Sequence, residues 1–191
     1  MKSLCLAVFL LLGNISVLSQ QAASAPGEQS ALSTDPKLHA SAVKLVELMG
    51  MRKTLIANEA AMMSKARETL LKGPPLVTEE LADAWVKRMT SDESIDAYIN
   101  VVVTVYEKHF SEAEIGELIQ AQQDKLDQKA PVISDALKDK LAKDGVAIYS
   151  EIMGGCTQVG ARLGGEIEQQ LVKEHPEWVK SADAGGDTKT N

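Results

Sequence analysis

The stretch IDAYINVVVTVYEKHFSEAEIGELI (residues 95–119) decides the fold class. Ile95, Ile99, Val102, Val103, Tyr106 and Phe110 recur at spacings of three and four, the period of one face of an α-helix. The β-branched run Val101-Val102-Val103 has strand propensity. The longer period and the lack of any partner strand in the sequence decide for a helix. Ser111-Glu112-Ala113-Glu114 then has the S-x-x-E form of a capping box, in which each side chain satisfies the other end's free N–H. It opens a second helix with Ile115, Leu118, Ile119 and Gln122 on one face.

The same grammar extends outward in both directions. Upstream, Asp35-Pro36 supplies an N-cap acceptor followed by proline at the first helical position. Leu38, Ala42, Leu45, Val46 and Met49 follow at helical spacing. Gly50 either ends that helix or is tolerated within it, and the period resumes from Leu55 to Lys72. Gly73-Pro74-Pro75 is a break. Thr78 caps the next helix, with Glu79, Glu80 and Asp83 in its first turns, where the macrodipole favours anions. Its apolar face is Leu81, Trp85 and Met89, and polar residues from Thr90 to Ser94 separate it from the stretch quoted above. Downstream, Pro131 is expected to start a last, long helix running from Val132 to His175, with Pro176 stopping it. The expected object is an all-α, single helical domain of five to six helices with a long C-terminal helix, occupying residues 35–178.

Composition agrees. Aromatic residues make up only 4% of the chain, whereas Leu, Ile, Val, Ala and Met are plentiful, which suits packed helices better than a β-sandwich. The formal net charge is −7, so nucleic acid and anionic lipid are disfavoured as partners, since both bind through basic patches.

The N-terminus reads as an export signal. Lys2 supplies a positive start, LCLAVFLLL (residues 4–12) an apolar core, and Ala23-Ser24-Ala25 the small residues a signal peptidase requires. The apolar run is about half of the ~20 residues needed to span a bilayer. Cys5 lies at the start of that run rather than at the cleavage point, which argues against a lipid-anchored form. Residues 1–25 are therefore expected to be a cleaved signal peptide, 26–34 a disordered leader and 179–191 a disordered tail. Cleavage near Ala25-Pro26 removes Lys2 and Cys5, leaving an acidic, periplasmic or extracellular protein with Cys156 as its one thiol, in which no intramolecular disulfide can form. That thiol is expected to be buried and inert, or else paired with another molecule. No apolar run after residue 25 is long enough to cross a membrane.

The segment Tyr106 to Ile119 resembles the core signature of the DUF2059 family, small exported all-helical bacterial proteins. That signature runs roughly Y-x-x-x-F/L-T/S-x-x-E-L/I-x-x-L-I. Tyr106, Phe110, Ser111, Glu114, Ile115, Leu118 and Ile119 stand at its positions, and the resemblance is best over residues 95–150. Lys129 and Pro131 match the end of a following family segment. Between them, over residues 121–129, the chain departs: Ala121, Gln122, Asp124, Lys125 and Asp127 replace the family's Phe, Tyr, Ser, Pro and Gly. The resemblance implies a fold and a compartment; the family has no established activity to carry over.

No residue set points to catalysis. Cys156 is the most plausible nucleophile, but it needs a base and an electropositive setting to become a thiolate. His39, His109 and His175 stand at element ends, far apart in sequence and next to no other candidate ligand. No H-E-x-x-H, C-x-x-C, G-x-S-x-G or phosphate-binding loop is present. Met49, Met51, Met62 and Met63 offer soft sulfur to Cu(I), but core packing by flexible thioethers is the expected role. The carboxylates Glu112/Glu114 and Glu79/Glu80/Asp83 sit where capping and dipole effects favour them. No enzyme, metal or cofactor is expected. The unusual feature is glycine within the last helix, at 154, 155, 160, 164 and 165. Cys156, Gly160 and Gly164 recur every four residues as a stripe of small side chains, against which another helix can approach closely. That helix can belong to the same chain or to a second copy, and a break or hinge at the glycines is the remaining alternative. The expected function is a non-enzymatic binding or protein-interaction module for an apolar ligand or a partner helix, with a homodimer and a Cys156 enzyme as alternatives.

Overall fold

The computed structural model describes residues 35–73 and 77–179, side chains 59–62 excepted. The expected signal peptide, leader and tail beyond residue 179 lie outside the described residues. The fold is all-α: α1 (Pro36–Leu48), α2 (Met51–Lys72), α3 (Glu79–Met89), α4 (Asp92–His109), α5 (Glu112–Leu126) and α6 (Asp135–Glu174), then a 3-10 turn at Pro176–Trp178. The one non-helical pairing among the described residues is an antiparallel bridge between Val77 and Val179. Val179, expected in the tail, is thus tied down by it.

The helix starts follow capping chemistry. The Asp35 carboxylate accepts from the Lys37 N–H at 2.9 Å, and Thr78 and Ser91 accept from Leu81 and Ser94. Ser111 and Glu114 form the reciprocal capping box. Gly50 settles the alternative left open by its sequence context. It adopts φ +66°, a left-handed conformation that glycine enters without steric cost, and it separates α1 from α2. The last helix begins later than its proline suggests: Ser134, not Pro131, is the N-cap, accepting from the Leu137 N–H at 3.3 Å. Proline presets φ but offers no side-chain acceptor for the free N–H groups of a first turn, whereas serine does.

Two apolar clusters share α6, which at 40 residues is about 60 Å long. The first joins Ala42, Leu45 and Val46 of α1, Val102, Val103 and Val105 of α4, and Phe110 and Ile115 at the α4–α5 corner to Leu137 and Ile148 of α6. The second joins Val77 and the α3 residues Leu81, Trp85 and Met89 to Ile167 and Leu171 of α6. Fully burying side chains such as Leu81, Ile115, Leu137 and Leu171 stabilises the fold by about 1.5–3 kcal/mol each. α2 lies along both clusters, with Met51 against the first and Met63 and Leu70 against the second. None of its described side chains is buried. Arginines hold it at two places: Arg52 donates to Asp92 and Asp96 of α4, and Arg67 to Asp83 and Glu79 of α3.

Candidate functional site

Between the two arginine clamps, α2 leaves an apolar gap. A groove of about 770 Å³ runs between α1, α2 and α4. Val43 and Val46 of α1 and Ile99 and Val103 of α4 form its aliphatic floor, and Ile56 and Ala57 of α2 face it. Its volume falls in the range that holds a small-molecule ligand, roughly 300–1,000 Å³. Ile56 remains 49% exposed, so its apolar surface is available rather than spent on packing. Charge is confined to the mouth, where Arg52 meets Asp96 while Glu47 and Lys53 stand nearby. Nothing in the sequence marked this groove, because its walls come from three helices whose apolar faces are each locally ordinary. A shallower groove of about 610 Å³ lies on the other side of α4, against α6 at Gly154, Gly155 and Glu151.

The glycine stripe of α6 is a seat for neighbours in the same chain. The Tyr98 hydroxyl of α4 occupies the space beside Gly160, 2.9 Å from where a Cβ would stand, and the Trp85 ring of α3 lies 3.2 Å from the same point on Gly164. The Trp85 indole N–H donates to the Gly164 carbonyl at 2.9 Å. Gly155, outside the expected stripe, is closest of all: a Cβ there would meet Val101 at 2.6 Å. Gly154 and Gly165 instead have no neighbour in that direction. The helix is unbroken through all of them. Cys156 is a free, half-buried cysteine, and burial pushes its thiol above the usual range, away from the thiolate a nucleophile requires. The Tyr98 phenol is also raised, mainly by burial and secondarily by Cys156.

The family-motif residues build the α4–α5 corner. Tyr106 packs edge-on to Phe110, ring centroids 5.7 Å apart, and its hydroxyl donates to the Met49 sulfur at 3.8 Å. Phe110 is buried beneath the Lys140 ammonium, 5.0 Å from the ring centre. Lys140 also reaches both carboxyl oxygens of Glu114 at 2.9 Å, holding that carboxyl below the usual range together with the Ser111 backbone. Ile115 is wholly buried. The departing segment 121–129 ends α5: Gln122 donates to the Leu48 carbonyl at 3.4 Å. Gln128 takes φ +60° so that its N–H and that of Lys129 close on the Lys125 and Asp124 carbonyls, a Schellman ending.

The three histidines each meet a glutamate, two of them across separate helices. His39 Nδ1 lies 2.6 Å from Oε1 of Glu107, whose side chain is 3% exposed. His109 Nε2 lies 2.7 Å from Glu151, which also accepts from Lys108 at 2.6 Å. These bonds, His109 first, hold the Glu151 carboxyl below the usual range. His175 stacks on Trp178 at 3.7 Å and contacts Glu177. The first two pairs join residues 68 and 42 apart, a separation that no local pattern announces. Among the described residues, no three His, Cys, Asp or Glu side chains converge as a metal site would need. Met49 and Met51 pack against the first cluster and Met63 against the second; the Met62 side chain lies outside the described ones. Glu79 and Asp83 clamp Arg67.

Comparison with family models, with curated proteins and with solved structures gives no match.

Proposed function

We propose that this chain is an exported, non-enzymatic binding or protein-interaction module of the cell envelope. The α1–α2–α4 groove takes an aliphatic ligand or the apolar face of a partner's helix. The observation that supports this reading is the aliphatic lining of the groove, where the half-buried Val43 and Ile99 lie over the buried Val46 and Val103 with the half-exposed Ile56 opposite. Aliphatic walls with charge held at the mouth favour occupants that bury hydrocarbon and keep their polar end in water. The raised, half-buried Cys156 thiol weighs against a thiol enzyme. A second copy docking on the stripe of Gly160 and Gly164 would have to displace Tyr98 and Trp85, which weighs against a homodimer through those residues. Among the described residues no helix is long and apolar enough to cross a membrane. The DUF2059 resemblance stays part of the proposal, resting on the α4–α5 corner residues alone.

The binding reading is tested with N-phenyl-1-naphthylamine, whose fluorescence rises in apolar sites. The expected result is saturable binding to the native chain and a several-fold loss on Ile56→Asp, a half-exposed position where the substitution spares the core. An absence of saturable binding to the native chain would overturn it. N-terminal sequencing of the protein recovered outside the cytoplasm tests the export reading, with a start at Pro26 expected; a chain still beginning at Met1 refutes cleavage.

A further inference from the structure

The groove has a property that its lining alone does not explain: its two walls carry unpaired charges of opposite sign. Glu47 stands on α1 and Lys53 on α2, both lining the mouth and both exposed. Neither side chain makes a hydrogen bond or ion pair with any described residue, whereas Arg52 beside them is bonded twice. Between the two walls lies Gly50, whose φ of +66° forms the α1–α2 joint. No side chain crowds it, since a Cβ there would meet nothing within 4 Å. The helix beyond the joint is the one α-helix with no buried side chain among those described.

We infer that the first half of α2 is a lid hinged at Gly50 that closes on the groove when Lys53 meets Glu47. This rests on the binding reading above and adds its regulation. The present structure is the open form: both charges are solvated and Ile56 faces an unfilled gap. Closing carries Ile56 and Ala57 toward Val43, Val46, Ile99 and Val103, so the helix's own apolar residues take the place of a ligand. Arg52, bonded to Asp92 and Asp96 on α4, and Arg67, bonded to Asp83 and Glu79 on α3, hold the two ends of α2, so closing is a bend of the stretch between them with Gly50 taking up the change at the joint. An ordered Glu–Lys pair at an exposed position contributes about 0.2–1 kcal/mol. That is enough to shift, without locking, an equilibrium between two nearly balanced states. An occupant and the closed lid then compete for the same apolar surface.

The test measures distance and binding on the same three proteins: native, Lys53→Glu, and the charge swap Glu47→Lys with Lys53→Glu. Spin labels on cysteines placed at the exposed positions Lys44 and Asn58, with Cys5 and Cys156 replaced by serine, report the α1–α2 separation. The expected result is a shorter population in the native chain, its loss in Lys53→Glu, and its return in the swap. N-phenyl-1-naphthylamine affinity is expected to rise by up to about fivefold when the pair is broken and to fall back in the swap. Distances that ignore the charge reversal, or a probe affinity that does not follow them, overturn the lid. If the distances respond while no variant binds the probe, the binding reading falls and the hinged closure stands. The swap separates the Glu47 contact from any effect of Lys53 on the nearby Arg52 cluster, which both variants alter alike.

Discussion

The neighbouring glycines 154 and 155 of α6 should respond to the same substitution with opposite sign. Both lie in a helix interior, where replacing glycine by alanine gains about 0.8–1 kcal/mol of helix propensity. At Gly154 a new Cβ meets nothing within 4 Å, so Gly154→Ala should show that gain undiminished. At Gly155 the Cβ would stand 2.6 Å from Val101 Cγ1, about an ångström inside the roughly 3.5–4.0 Å of a favourable carbon contact. Val101 cannot simply turn aside, because a β-branched residue in a helix has one strongly preferred rotamer. Overpacking of this kind costs about 1–3 kcal/mol. Offset by the propensity gain, Gly155→Ala should therefore lose about 0–2 kcal/mol. Urea unfolding followed by far-ultraviolet circular dichroism resolves this difference as a shift in midpoint at constant slope. Combining Gly155→Ala with Val101→Ala restores room, so the two substitutions should couple favourably by about 1–2 kcal/mol. If Gly155→Ala stabilises as much as Gly154→Ala, then α4 does not approach α6 at this point and the account of the glycines is wrong.

Other expectations follow from single contacts. Trp85→Phe removes the buried donor to the Gly164 carbonyl and should lower stability by about 1–3 kcal/mol, read as a lower melting temperature; an unchanged melting temperature would remove the indole from the seam. Gln128→Gly relieves the left-handed conformation at the end of α5 and should raise stability by about 0.5–1 kcal/mol after the entropy of the unfolded glycine is counted; a loss would mean that the Gln128 side chain contributes more than its backbone strain. Glu151 and Glu114 are both held below the ordinary carboxylate range, by His109 and by Lys140 first. A depressed folded value means stabilisation that is complete above the unfolded value and lost as pH falls through the folded one. Thermal stability should therefore decline below about pH 4.3, and Glu151→Gln should flatten that decline; equal acid sensitivity in native and variant chains would rule Glu151 out as a contributor.

Helices and their ends were legible because they are written locally. Asp35, Thr78 and Ser111 act as caps as their neighbours imply, and Gly73 ends α2. The start of α6 was misread at Pro131 because proline's fixed φ and a true cap both signal a helix start, and only Ser134 supplies an acceptor. The glycines were legible as a seat for something, but which partner fills it depends on where α3 and α4 lie, and adjacency within α6 does not encode that. Gly155, the tightest contact, falls outside the four-residue stripe although the helix that meets it, α4, also meets Gly160. The histidines illustrate a different limit: His39 and Glu107 come from separate helices, and neither residue has a neighbour that marks it. The groove was invisible for the same reason, since a gap between three faces has no signature on any one of them.

The sharing of α6 by two clusters has a consequence for how the chain opens. Amide hydrogens near the middle of this helix, around Ile152 to Leu163, sit between the cluster built on α1, α4 and α5 and the one built on α3. Releasing them as a unit requires both clusters to let go, so their exchange with solvent should follow global unfolding rather than local fraying. This segment, which carries three glycines, the residue least able to sustain a helix alone apart from proline, is then expected among the slowest to exchange. Its persistence is lent by the side chains of other helices, and α6 couples two small cores into one cooperative unit through its intrinsically weakest turn.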